Sequence, residues 1–315
     1  MIRIFSDAHF AFISMRKRAY MISAGLILVG LLGMVVRGGF NTGVEFTGGT
    51  MLQVRVDRAA DVAEVRDVMN AGGFTGVQIQ PLRGAGESAA TPEFLIRVPT
   101  EDDLGLEGVR EQVSQALSTG FGESGYEIRQ SEAIGPRVGS ELRTKAIMAL
   151  GLSFLLTLIY LAFRFEWRFG FAAVIATLHD MTVAFGFIAL LDIEISLATV
   201  AAILTIIGYS LNDTIVVFDR VRENLKKKRK ESYEDTLDRS INETLPRTVL
   251  TSGTTLVALI SLFVLGGAVI RPFALVLIVG ILIGTYSSIF VASPALYEIQ
   301  QRAKRKARAA AHATG

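Results

Sequence analysis

Six apolar runs punctuate this chain, at residues 20–36, 146–163, 169–191, 195–218, 249–267 and 272–297. A helix rises 1.5 Å per residue, so about 20 apolar residues cross a bilayer. Runs of this length and number predict an integral membrane protein rather than a soluble protein with a large core. Of the 315 residues, 50% are hydrophobic, and most of these are gathered into the runs. The net charge is only +2 and basic residues cluster at the ends of the runs, which argues against a nucleic-acid surface. There is no cysteine, so disulfides and thiolate metal sites are excluded. His9, His179 and His312 are too scattered for a histidine metal cluster, and neither a metal nor a cofactor is expected.

Residues 2–13 (IRIFSDAHFAFI) alternate bulky apolar and polar groups ahead of Arg16, Lys17 and Arg18. That pattern predicts a short helix lying in the membrane interface, with a frayed terminus as the alternative. No small-x-small cleavage site follows the first run, which reads as an uncleaved anchor. Residues 40–143 contain no spanning stretch and read as a soluble domain. Strand periodicity at 50–56, 77–81, 93–98 and 126–132 is interleaved with helical periodicity at 59–70 and 107–117. The stretch RGAGESAATP (83–92) is turn-rich. The order β-α-β-β-α-β predicts a ferredoxin-like α+β domain. It holds no constellation that looks catalytic, and either a docking module or a structural cap fits it.

Orientation follows from the loops. Arg164 and Arg168 flank one turn, Lys226, Lys227, Lys228, Arg229 and Lys230 lie in the long linker, and Arg302, Lys304, Arg305, Lys306 and Arg308 follow the last run. The alternate connections, 191–194 and 266–271, carry few basic residues. Positive-inside is obeyed throughout only with both termini cytoplasmic and the soluble domain extracytoplasmic. The polybasic run is also a candidate for contact with anionic lipid or a cytoplasmic partner, although a topology signal explains it equally. The expected organisation is a cytoplasmic interfacial segment (1–19), a first transmembrane helix (20–36) and the extracytoplasmic domain (37–144). A five-helix bundle (145–297) with a charged, partly helical cytoplasmic linker at 222–246 follows, then a basic cytoplasmic tail (298–315).

Polar residues inside the runs are the candidate site. A carboxylate in the membrane costs roughly 2.5–3.5 kcal/mol on insertion scales and needs a partner, a proton or a wet cavity. Helical spacing puts Tyr209, Ser210 and Asp213 on one side of the fourth run, with Asn212 beside them. Arg247, Thr251, Thr254 and Thr255 form a stripe along the fifth, and Pro246 suits the first turn of that helix. Arg247 is the expected partner of Asp213, because its long stem can reach inward from the boundary. His179 and Asp180, mid-way along the third run, could extend the set. Such an Asp can take up a proton and release its Arg, while a static ion pair that fixes helix register is the plainer alternative. The face Gly280–Gly284 is of the small-xxx-small kind and predicts close helix packing. Catalysis finds little support, so no enzyme is expected. A GxxxxGK[ST] phosphate loop is missing, and Asp180 with Asp213 lacks the Gly-x-Gly-Asp surround of an intramembrane aspartyl protease.

Four stretches carry a resemblance: VEFTGGT (44–50), LHD (178–180), GYSLNDTIVVFDRVREN (208–224) and LPRTVLTSGTT (245–255). Through them the chain resembles the SecD/SecF family of protein-export membrane proteins, on the SecF side, over roughly residues 40–297. Glu45 departs from the family motif, which usually has Asp there, but keeps the charge. The resemblance implies six transmembrane helices in a resistance-nodulation-division type bundle of the bacterial cell (inner) membrane. It implies that Asp213 and Arg247 match positions tied to proton transport, and that the external domain assists emerging preproteins. The larger SecD half is absent from the chain, so the implied partners are SecD, the SecYEG translocon, the preprotein, membrane lipid and, indirectly, SecA. A structural assembly factor and a small-molecule efflux half-transporter are the competing readings.

Overall fold

Apolar length becomes helix here almost run for run. The computed structural model describes residues 9–82, 92–99, 105–227 and 230–313. After a 3-10 turn at Ile13–Met15, helix α1 (Arg16–Arg37) makes the first crossing. The short helix α2 (Val44–Thr47) leads into a domain ordered β1 (Gly49–Val56), α3 (Val62–Ala71), β2 (Gln78–Leu82), β3 (Glu93–Val98), α4 (Gly105–Phe121) and β4 (Tyr126–Ile134). Then come α5 (Pro136–Arg164), α6 (Trp167–Leu190), α7 (Leu197–Lys226), α8 (Tyr233–Leu265) and α9 (Gly267–Ser287). A π-helical turn at Ser288–Ala292 joins α9 to α10 (Ser293–Ala313). Among the described residues, six helical stretches are long and apolar enough to cross a membrane.

The sheet order is β2-β3-β1-β4, antiparallel throughout, which is the ferredoxin-like arrangement the element order predicts. Strand alternation divides its side chains. Leu52, Val54, Val56, Phe94 and Ile96 pack under α3 and α4 against Val65, Met69, Val113 and Leu117. Met51, Gln53, Leu95 and Arg97 point the other way, towards the bundle, and line the sheet side of the domain–bundle junction with Gln80. The turn-rich stretch expected at 83–92 lies outside the described residues except for Pro92.

Within the bundle α6, α7 and the α9–α10 unit are central, each with 56% of its spanning window buried, against 22% for α1, 11% for α5 and 17% for α8. Small residues allow the central contacts. A Cβ on Gly30 of α1 would sit 2.7 Å from the Cα of Gly186 on α6, so the two backbones touch. Gly280 and Gly284 likewise seat α9 against Ile206 and Ser210 of α7.

Three expectations change. The interfacial helix at 2–13 is not formed where it is described: residues 9–12 are non-helical and are pinned to α8. Asn242 takes both backbone groups of Phe10, accepting from its N–H (3.0 Å) and donating to its carbonyl (2.8 Å), and Asp238 accepts from the Ile13 N–H (2.8 Å). Residues 2–8 lie outside the described residues. Pro246 does not start its helix. The start is at Tyr233, where Ser232 and Asp235 form a capping box, and Pro246 sits in the interior. Its ring removes only the bond to the Asn242 carbonyl, a local loss that a packed helix tolerates. The linker 222–246, expected to be partly helical, is formed largely by the ends of α7 and α8, and Lys228 and Arg229 lie outside the described residues. Helix boundaries also move at both margins of the bundle: α5 already begins at Pro136, and the basic tail continues the last helix as α10.

Candidate functional site

Two carboxylates lie buried in the bundle core, Asp180 (2% exposed) on α6 and Asp213 (3%) on α7. Asp180 is the better supplied. It accepts hydrogen bonds from Ser210 of α7 and from Ser287 of α9 (2.6 Å), and lies 2.8 Å from Nδ1 of its neighbour His179. The His179 ring lies tilted beside that of Tyr286, their centroids 6.3 Å apart, and its buried Nε2 has no hydrogen-bond partner among the described residues. Tyr286 itself donates to the Ala19 carbonyl (2.8 Å) and meets Ser23 (3.3 Å), tying α9 to α1.

Asp213 has a sparser shell. Ser252 of α8 donates to it at 3.4 Å, Thr285 of α9 joins, and the two hydroxyls bond each other at 2.7 Å. The expected ion pair with Arg247 is not made: among the described residues no contact within 4.0 Å links them. Arg247 is exposed on α8, on the side turned away from the buried Ser252. The two acids are thus joined to one helix: Thr285 serves Asp213 and Ser287 serves Asp180, two residues apart on α9.

The other predicted residues separate into inner and outer sets. Ser210 faces Asp180 rather than Asp213. Tyr209 donates to Thr255 (3.3 Å). Thr251 is half-buried, Thr254 is exposed with its hydroxyl on its own helix's carbonyls, and Asn212 is exposed. The stripe Arg247–Thr251–Thr254 is therefore the outer face of α8, and the inner face runs through Thr248 and Ser252. Ser252, Thr285 and Ser287 escaped sequence reasoning because a small hydroxyl barely dents an apolar run. One signal pointed to Ser287: the small residues Gly280 and Gly284 continue to it at helical spacing.

The chain matches the model of "Protein export membrane protein SecD/SecF, C-terminal" over residues 113–302, more than half its length, and that of the "SecD/SecF GG Motif" over residues 34–60. The chain belongs to the SecD/SecF family. It is a protein-export membrane protein of the SecF kind. Among its SecD/SecF relatives, the protein translocase subunit SecF of Gemmatimonas aurantiaca is 46% identical over 96% of this chain and 90% of the relative. That of Rhodothermus marinus is 39% identical over 98% and 99%. The crystal structure of SecDF, a translocon-associated membrane protein from Thermus thermophilus, superposes with a TM-score of 0.81 at 37% identity, covering 94% of this chain. The SecF-type chain spans only 39% of that SecDF chain. A second SecDF structure, in the super-membrane-facing form, gives a TM-score of 0.69 at 40% identity.

Proposed function

We propose that this SecF-type subunit couples proton uptake at Asp213 to a helix rearrangement that promotes preprotein export. The observation that carries this is Asp213 itself, a carboxylate 3% exposed half-way along a membrane helix and met by hydroxyls instead of an ion pair. A hydroxyl donates to a carboxylate and accepts from a carboxylic acid, so both protonation states find partners in the same shell. A closed Arg–Asp pair would hold the acid in one state. Crossing a membrane potential contributes about 2.3 kcal/mol per charge per 100 mV, and each pH unit about 1.4 kcal/mol. Together these bias a two-state rearrangement of α7, α8 and α9, the helices that share the Asp213 shell.

The working complex includes SecD, the SecYEG translocon and the preprotein, with SecA acting from the cytoplasmic side. Similarity over 95% of this chain to the SecDF protein of Thermus thermophilus supports the SecD association. The gathering of basic residues at the end of the bundle that holds both termini supports a cytoplasmic placement of that end and an extracytoplasmic sheet domain in the bacterial cell membrane. Asp213→Asn tests the coupling: export stimulation by the proton-motive force is expected to vanish while the complex with SecD still purifies intact. Wild-type stimulation from an intact Asp213→Asn complex removes the reading.

A further inference from the structure

The sheet domain and the bundle meet at a buried charge. Arg97 points from β3 towards the bundle, 4% exposed, and pairs with Glu194 in the loop between α6 and α7. Gln80 stands 3.4 Å away, and the Arg97 Nε has no partner among the described residues. Burial pulls the guanidinium below its ordinary range, and the Glu45 carboxylate counters that. Gly43 is what lets both acids approach. A Cβ there would fall 2.2 Å from the Glu45 carboxylate and 2.7 Å from that of Glu194.

The rest of the loop is knitted to the chain leaving α1. Thr42 bridges to Ile195, the Gly43 N–H donates to the Ile195 carbonyl (2.9 Å) and the Ile195 N–H to the Asn41 carbonyl (2.7 Å). Glu194 also rides on α7. Its carbonyl accepts from Thr199 Oγ1 (2.8 Å), and Ser196 caps the helix. From there α7 runs unbroken past Ser210 to Asp213, about 24 Å along the axis from Leu197. The loop's other end is α6, which carries Asp180. One loop thus closes the two helices that hold the buried acids, and one side chain of that loop grips the sheet.

We propose that Arg97 and Glu194 are positioning residues that transmit displacement of α6 and α7 to the sheet domain, with Glu45 completing the charge balance. This rests on the proton-coupled rearrangement inferred above. The backbone bridge holds the chain at residues 41–43, and α2 packs on the start of α5, whereas the charge pair ties β3 itself to the loop that closes α6 and α7. The pair, buried at Arg97 and half-buried at Glu194, makes the sheet follow the helices.

The chain contains no cysteine, so pairs of introduced cysteines are its only labelling sites, and a cysteine-free SecD keeps the complex without background. In proteoliposomes holding the full chain with its SecD partner, one label pair spans the bundle (Leu178 and Leu250) and a second spans the junction (Gln112 and Leu178). All three positions are exposed. An imposed pH gradient is expected to shift both distances. In Glu194→Gln, and in the charge-free double variant Arg97→Gln/Glu194→Gln, the bundle shift persists, the junction shift is lost and export stimulation falls with it. Arg97→Lys, which keeps the charge, keeps both shifts. A junction shift that survives in the charge-free variant overturns the proposal. So does loss of both shifts in every variant including Arg97→Lys, because the pair then only holds the fold. No bundle shift in the unsubstituted chain counts instead against the coupling at Asp213.

Discussion

Asp180 is the most heavily bonded acid of the bundle, and its partners differ sharply in what their loss should cost. Removing the Ser287 hydroxyl leaves a buried carboxylate short of one donor, a loss of about 1–3 kcal/mol. Ser287→Ala should therefore lower the unfolding midpoint of the purified chain clearly. Thr254→Ala should leave it within about 0.5 kcal/mol, because that hydroxyl is exposed and bonds its own helix. Equal effects of the two would mean that the Asp180 shell carries no more weight than an exposed hydroxyl. At this scale His179, Asp180, Ser210 and Asp213 were legible in the sequence, since a charge or a cluster of polar groups stands out in an apolar run. Their pairing was not. Sequence spacing reports which residues share a helix face but not which helix that face meets: Ser210 shares a face with Asp213 yet bonds Asp180, and Arg247 makes no ion pair with Asp213. Hydroxyls from α8 and α9 took that place at less desolvation cost than a buried guanidinium.

Whole elements were read more faithfully than their joints. Span-length hydropathy and strand alternation are periodic signals summed over many residues, which is why six crossings and the split β-α-β-β-α-β order survive intact. The ends of elements hang on single contacts. Pro246 suggested a helix start, and the capping box at Ser232 outweighed it by ordering the segment 14 residues earlier. Residues 9–12 suggested an interfacial helix, and Asn242 and Asp238 claimed their backbone instead. Close packing of small residues makes the sharpest prediction at this scale. A side chain at Gly284 would meet Ser210 at 3.0 Å, pushing α9 off α7 and loosening both acidic shells, whereas a side chain at Gly208 meets nothing within 4 Å. Gly284→Leu should reduce the yield of folded protein and its resistance to proteolysis, and Gly208→Leu should leave both unchanged. A well-folded Gly284→Leu chain would show that the α7–α9 contact is slack.

The molecule as a whole has two kinds of outward face. Along α5, Ile147, Met148, Leu152, Leu155, Leu156 and Phe163 are exposed and uniformly apolar, which costs nothing against hydrocarbon. Along α7 and α8 the exposed set mixes Thr205, Gly208 and Asn212 with Arg247, Thr254 and Val257. An arginine or an amide turned to lipid is expensive, roughly 2.5–3.5 kcal/mol for a charge at the bilayer centre, less near the boundary where a long stem can reach water. Polar groups on that scale persist on an outer face where another protein covers them. Since this chain spans only 39% of the SecDF protein it superposes on, the missing cover on this face is expected to be the SecD partner. A photoreactive side chain at Thr205 or Val257 should then form an adduct with SecD in the assembled complex, and one at Leu152 or Leu156 should label only lipid. Neither Thr205 nor Val257 belongs to the acidic shells, so export should continue in those variants and the adduct can be read in a working complex. Adducts from α5 alone would place the partner on the opposite flank, and Arg247 would then have to reach the membrane surface by its own length.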